Sequence, residues 1–215
     1  MLMSEQTYLA ASAAPSRALR SAVIYAAAGW SGFFVMGVEL LGGRLLAPYF
    51  GSSIFVWGGI IAVFMTCLSI GYLLGGHLSM KAASPRTLGA LLMTEGILAL
   101  PIIGMGALAL EWLSYAVPDP RYGSLLGALL LFGAPTIVSG MISPYAVRLL
   151  IADVSRSGRS AGGLYFVSTL GSAAGTILTS FYFVLYLEID TVMLSMIATS
   201  IVLGGSMVVA NGRRT

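Results

Sequence analysis

Charge is what this sequence has least of. Only 9% of its 215 residues are Asp, Glu, Lys or Arg, against about 25% in an ordinary soluble domain. That leaves too little polar surface to clothe a water-soluble globule, and 58% hydrophobic content with a mean hydropathy of +0.93 points the same way. Lipid is the expected solvent for most of the chain. Cysteine occurs once, at Cys67, which excludes an internal disulfide and any multi-cysteine metal site. The single histidine, His77, cannot build a histidine-rich site alone. There is no Ser-His-acid set, no zinc spacing, no phosphate loop of the GxxxxGK[ST] type and no glycine-rich cofactor fingerprint. Neither catalytic machinery nor a cofactor nor a metal is expected. The net charge of +3 would suggest nucleic acid as a partner for a soluble protein. Here it reads as topology and attraction to an anionic lipid bilayer, with no nucleic acid.

What is present is apolar run after apolar run. Six segments, at about residues 21–46, 53–80, 87–110, 123–150, 161–186 and 190–210, are each long enough to cross about 30 Å of hydrocarbon at 1.5 Å per residue. The connectors are polar or turn-forming: APYFGSS, KAASPRT, EWLSYAVPDPRYG, ADVSRSGRS and LEID. Residues 1–20 read as a disordered cytoplasmic arm, not a signal peptide, because the apolar run that follows is too long and no small-residue cleavage site fits. Residues 211–215 read as a cytoplasmic tail. The basic residues set the orientation. Arg17, Arg20, Lys81, Arg86, Arg148, Arg156, Arg159, Arg213 and Arg214 fall on one side; only Arg44 and Arg121 fall on the other, with Glu111, Asp119, Glu188 and Asp190. The positive-inside rule then puts both termini in the cytoplasm of a cell with this chain in its inner membrane.

The stretch Gly37–Gly58, GVELLGGRLLAPYFGSSIFVWG, carries the most information. Glu39 stands in an apolar helical run, roughly 10 Å below the outer end of the first segment from the helical rise. A carboxyl at that depth must face the bundle interior, be partnered or hold a proton, so Glu39 is a candidate proton or cation site or an interhelical hydrogen-bond partner. Arg44, five residues on, is a poor same-face partner and is expected to snorkel to the interface. Trp57 and Tyr49 are expected near Glu39, where their ring faces would suit a cation. The other large aromatics, Trp30, Trp112, Tyr115 and Tyr122, read as interfacial belt residues.

Glu95 is the second intramembrane acid. Arg148 near the end of segment four is its expected ion-pair partner, with His77 joining a polar gate. Gly42-Gly43, Gly71/Gly75 and Gly171/Gly175 read as small-residue surfaces for close helix packing. Pro101, Pro135 and Pro144 are expected to interrupt their helices. Gly71-Tyr-Leu-Leu-Gly75 is echoed by Gly171-Ser-Ala-Ala-Gly175 one hundred residues later, and RLLAPYFG by SPYAVRLL. Two halves of three segments that start from opposite sides make an inverted repeat, a plan common among transporters.

ELLGGRLLAPYFGSSIFVWG, SIGYLLGGHL, SGMISPYAVRLL and GGLYFVSTLGSAAGT together resemble the transmembrane region of the fused, major facilitator-like spermidine synthase-like membrane proteins. The likeness spans residues 25–210. It implies an all-α integral membrane bundle similar to half of a major facilitator fold. In that family an aminopropyltransferase-like soluble domain commonly follows; no such sequence follows Thr215 here, so no transferase role passes to any residue of this chain. Two functional readings stand. One is a half-size transporter-like module for a small cation such as a polyamine, which would need a homo-oligomer or a partner to enclose a path. The other is a non-transporting anchor that docks a separately encoded synthase-like enzyme on Arg156, Arg159, Arg213 and Arg214.

Overall fold

A computed structural model describes residues 2–80, 83–151 and 157–212, with the side chains of 2–18 excepted. Among the described residues all regular structure is helical. The helices are α1 (Leu2–Phe50), α2 (Ile54–Met80), α3 (Pro85–Ala116), α4 (Pro120–Leu150), α5 (Ser157–Tyr186) and α6 (Ile189–Gly212). Each has a stretch long and apolar enough to cross a membrane. The chain is a six-helix polytopic membrane protein. Lys81, Arg156, Arg213 and Arg214, and the side chain of Arg17, lie outside the described residues.

The spans are longer than the hydropathy runs because polar connectors join them as capped helical turns. Ala47–Phe50 complete α1, and Gly51 stops it with a left-handed φ of 79° while its N–H bonds the Ala47 carbonyl at 2.9 Å. Ser84 caps α3, accepting from the Thr87 N–H ahead of Pro85 at the first turn. Asp119 does the same for α4 before Pro120. EWLSYA, expected as a connector, belongs to α3. Residues 2–20, expected to be disordered, continue α1 as helix, in keeping with the high helix propensity of their alanine-rich sequence. Asn211 and Gly212, expected as tail, finish α6. In α5 the turn Thr179–Phe183 is π-helical, its Val184 N–H reaching back to the Thr179 carbonyl.

Close packing follows the glycines. A Cβ added to Gly171 would run into the Gly29 carbonyl on α1, and one on Gly175 into Phe33. Gly71 and Gly75 of α2 sit equally tight on Ile137 and Met141 of α4. Lipid offers no hydrophobic push between helices, so backbone approach of this kind supplies the van der Waals contact that joins them. Gly42 and Gly43 work differently: they seat the rings of Phe132 and Trp57.

The dominant helix pairings are α2 with α4, α1 with α5, and α3 with α6. An inverted repeat that maps α1–α3 onto α4–α6 exchanges the first two and returns the third to itself. The match holds at residue level. A Cβ added to Gly32 of α1 would meet the Ser168 carbonyl of α5, as one added to Gly140 of α4 would meet the Leu68 carbonyl of α2. A Cβ on Gly96 would meet the Ile197 carbonyl, as one on Gly204 would meet that of Gly89.

Two apolar cores stack along the bundle. One, toward the α1–α2 turn, contains Phe34, Leu41, Leu46, Phe64, Phe132 and Ile197. The other, toward the termini, contains Ile24, Leu88, Leu92, Ile142, Tyr145 and Met207. Between them lies a polar layer.

A polar layer and the cleft beside it

Glu95 is the centre of that layer and is fully buried. It falls between Leu92 of one core and Ala99 of the other. Two other helices bond it directly and a third reaches it through them. Ser139 of α4 places its hydroxyl 2.7 Å from Glu95 Oε2, and Ser200 of α6 donates to Oε1 at 3.1 Å. Trp30 of α1 donates its indole N–H to the Ser200 oxygen at 2.7 Å. Ser31, next to it, donates to the Ser139 carbonyl at 3.4 Å. Ser200 lies midway along the apolar span Ile189–Asn211, which puts the layer near the centre of the hydrocarbon.

The arrangement can accept either form of the carboxyl group. Against a carboxylate, Ser139 and Ser200 both donate. Against a carboxylic acid, Ser139 can receive the acid proton and turn its own O–H to the Pro135 carbonyl, 3.0 Å away. A proton or a small cation can thus leave or join Glu95 without stranding a buried polar atom.

Arg148 is not Glu95's partner. It is exposed at the last turn of α4, nine residues beyond Ser139, which is about 13 Å along the helix. His77 joins no gate either: it is exposed and its Nδ1 donates to the Leu73 carbonyl at 2.9 Å. Trp30, expected in an interfacial belt, is a mid-bundle hydrogen-bond donor, while Trp112, Tyr115 and Tyr122 are exposed as belt residues would be.

Ser139 also faces a cleft. On the side of the termini, α2 and α5 stand apart over α1 and α4. The gap forms a cavity of about 360 Å³ lined by Tyr72, Ser143, Pro144, Tyr165, Thr169 and Ser172. It deepens into a smaller chamber of about 90 Å³ walled by Ser31, Gly32, Val35, Met36, Leu68 and Ser139, among others. Hydroxyls dominate its polar lining, and Ser139 is the wall it shares with Glu95. None of these hydroxyl residues was singled out from the sequence. Serine is common in membrane helices, and the only signal was the Ser-Gly pair that recurs at Ser31-Gly32 and Ser139-Gly140.

Glu39 lies apart from this layer. Because α1 runs on to Phe50, Glu39 is eleven residues, about 16 Å, from the end of the helix, deeper than the apolar run implied. It is half-buried, and among the described residues no hydrogen bond or ion pair holds it. Trp57 sits over Gly43, one turn beyond it. Tyr49 does not join them; it is ten residues further along α1 and packs on the core near the α1–α2 turn. Arg44 is exposed, on the rim of a cavity of about 460 Å³ at that end. Among the described residues no three His, Cys, Asp or Glu side chains group as metal ligands.

Fold and site together define a class: a polytopic helical membrane protein with an acid in a polar mid-membrane layer beside a hydroxyl-lined cleft. No family model, curated protein or solved structure matches the chain.

Proposed function

We propose that this chain is a transporter-like membrane module for a small cation. The observation that carries the reading is Glu95: a fully buried carboxyl group that, among the described residues, is held only by hydroxyls with no basic side chain against it, one hydroxyl away from an open polar cleft. An intramembrane acid without a protein countercharge is costly unless a mobile cation or proton supplies one. A carboxyl group needed only to hold helices together would serve as well as an amide, which carries no such cost. The likeness to spermidine synthase-like membrane proteins makes a polyamine the first cation to try. In this reading the basic ends face the cytoplasm of an inner membrane, and the cleft opens toward that side.

The test is uptake of labelled spermidine, and of protons by a trapped dye, into proteoliposomes. The wild-type chain is expected to move one of them and Glu95→Gln to lose that movement. Equal rates in wild type, Glu95→Gln and empty liposomes would remove the transport reading. The anchoring alternative would then gain from recovery of a soluble synthase-like enzyme on the intact chain in detergent.

A further inference from the structure

One acid remains outside this scheme. Glu39 has no partner among the described residues, yet the packing places it at one particular point of α1. Val35 and Met36, which wall the inner chamber of the cleft, precede it by four and three residues. Gly43, which lines the cavity at the opposite end, follows it by four. Side chains three and four apart share a helix face. The same face of α1 therefore carries, in order, the floor of the termini-side cleft, Glu39 and the floor of the far cavity. Between Met36 and Gly43 lie about 10 Å of helix, by the rise per residue. In that interval α1 offers Gly37, Val38, Glu39, Leu40, Leu41 and Gly42, so Glu39 is its only polar side chain.

At Gly37, Thr179 of α5 and Met196 of α6 meet α1. At Gly43, α2 comes in through Trp57. The far cavity is lined by Gly43, Arg44, Ala47, Ser52, Trp57 and Ile189. Its rim carries both signs of charge, Arg44 on α1 and the exposed Glu188 and Asp190 on either side of Ile189.

We infer that Glu39 is the intermediate binding point of a cation path along α1, between the termini-side cleft and the far cavity. The inference rests on the cation-transport reading and adds the route: entry past Tyr72 and Tyr165, the Ser139–Glu95 layer to one side, then Glu39, then out beneath Trp57. The ligand class at Glu39 is a monovalent inorganic cation or a primary ammonium group, since one carboxylate with no second acid beside it neutralises a single positive charge. Trp57, one turn beyond, offers a ring face to the same charge.

The route is testable on the unmodified chain in lipid vesicles. A water-soluble carbodiimide with glycine ethyl ester converts water-accessible carboxyl groups to amides, read as a mass shift on each peptide. Glu39 is expected to shift together with the exposed Glu188, Glu95 to remain unmodified, and excess spermidine to reduce the shift at Glu39 but not at Glu188. If Glu188 shifts and Glu39 does not, Glu39 is off any water path and the inference is overturned. Modification of Glu39 only by a lipid-soluble carbodiimide overturns it too, because the carboxyl then faces the bilayer. The cleft has its own assay: Ser172→Cys in a Cys67→Ser background should react with a charged thiol reagent. Reaction there with no water-phase modification of Glu39 removes the route and leaves the cleft standing; no reaction at Ser172→Cys removes both.

Discussion

Replacing Glu95 with glutamine should separate what the polar layer does for stability from what it does for function. Glutamine has the same shape. Its amide oxygen can accept from Ser200 as Oε1 does now, at 3.1 Å. Its amide nitrogen can donate to the Ser139 oxygen, now 2.7 Å from Oε2, while Ser139 turns its O–H to the Pro135 carbonyl. No hydrogen bond is lost and the cost of a buried carboxyl group without a countercharge is relieved, so Tm should hold or rise. The Ser139→Ala/Ser200→Ala double variant is the contrast. It removes both contacts to Glu95 and strands the Trp30 indole N–H, three interactions in all. Interhelical hydrogen bonds in lipid average about 0.6 kcal/mol and reach about 1.7. Three of them, not strictly additive, come to about 2–4 kcal/mol. At about 2–4 °C of Tm per kcal/mol for a chain of this length, the double variant should melt roughly 4–16 °C early. The chain carries its own reporter: Cys67, the only cysteine, is 2% exposed, so a thiol-reactive dye lights up as the bundle opens. Glu95→Gln melting as early as the serine double variant would refute the network, and so would a double variant that melts with the wild type. A glutamine variant with a Tm no lower than wild type and no cation uptake is the combination the proposed function demands.

Two further outcomes follow from the packing. Gly171→Leu should lower Tm by several degrees, because its Cβ meets the Gly29 carbonyl and overpacking costs about 1–3 kcal/mol; Gly162→Leu, with open space around it, should leave Tm unchanged in the same dye assay. Thr179→Val should hold stability or raise it by up to about 1 kcal/mol, read as an equal or higher Tm, since the Thr179 hydroxyl is buried without a partner among the described residues and valine keeps its shape.

Much of the architecture was legible because lipid simplifies the problem. Every span must satisfy its own backbone, so hydropathy and charge alternation give six helices directly. The helix ends were less legible, since a cap such as Ser84 or Asp119 lets a polar connector continue as helix. The acids were visible as acids, but their partners were not. Glu95 was expected to meet Arg148 by complementarity of charge; the partners are Ser139 and Ser200, 44 and 105 residues away. A serine carries no charge to pair by inspection, and its place depends on how the glycine faces set helix register. Arg148 meanwhile stays exposed at a helix end, where the guanidinium keeps its hydration.

The repeat explains why the functional groups sit where they do. Ser31 and Ser139 are 108 residues apart and touch. The same shift carries Gly32 onto Gly140 and Gly96 onto Gly204, positions that make matching contacts. Scaffold residues thus obey the symmetry, because both halves need the same close approach. The chemistry breaks it. The shift carries Trp30 onto Val138, Glu39 onto Val147 and Glu95 onto Leu203; in α2 and α5, one hundred residues apart, Tyr72 corresponds to Ser172. Burial breaks it as well: Glu95 is fully buried, whereas its counterpart Leu203 is exposed on the bundle surface, so an acid there would meet lipid and not the polar layer. The polar layer is thus built around the one acid of α3, with serines of α4 and α6 supplying its hydrogen bonds. Leu203→Glu, which sets a carboxyl group on that lipid-facing surface, should therefore lower Tm through the cost of an acid against hydrocarbon, an outcome the Cys67 assay reads directly.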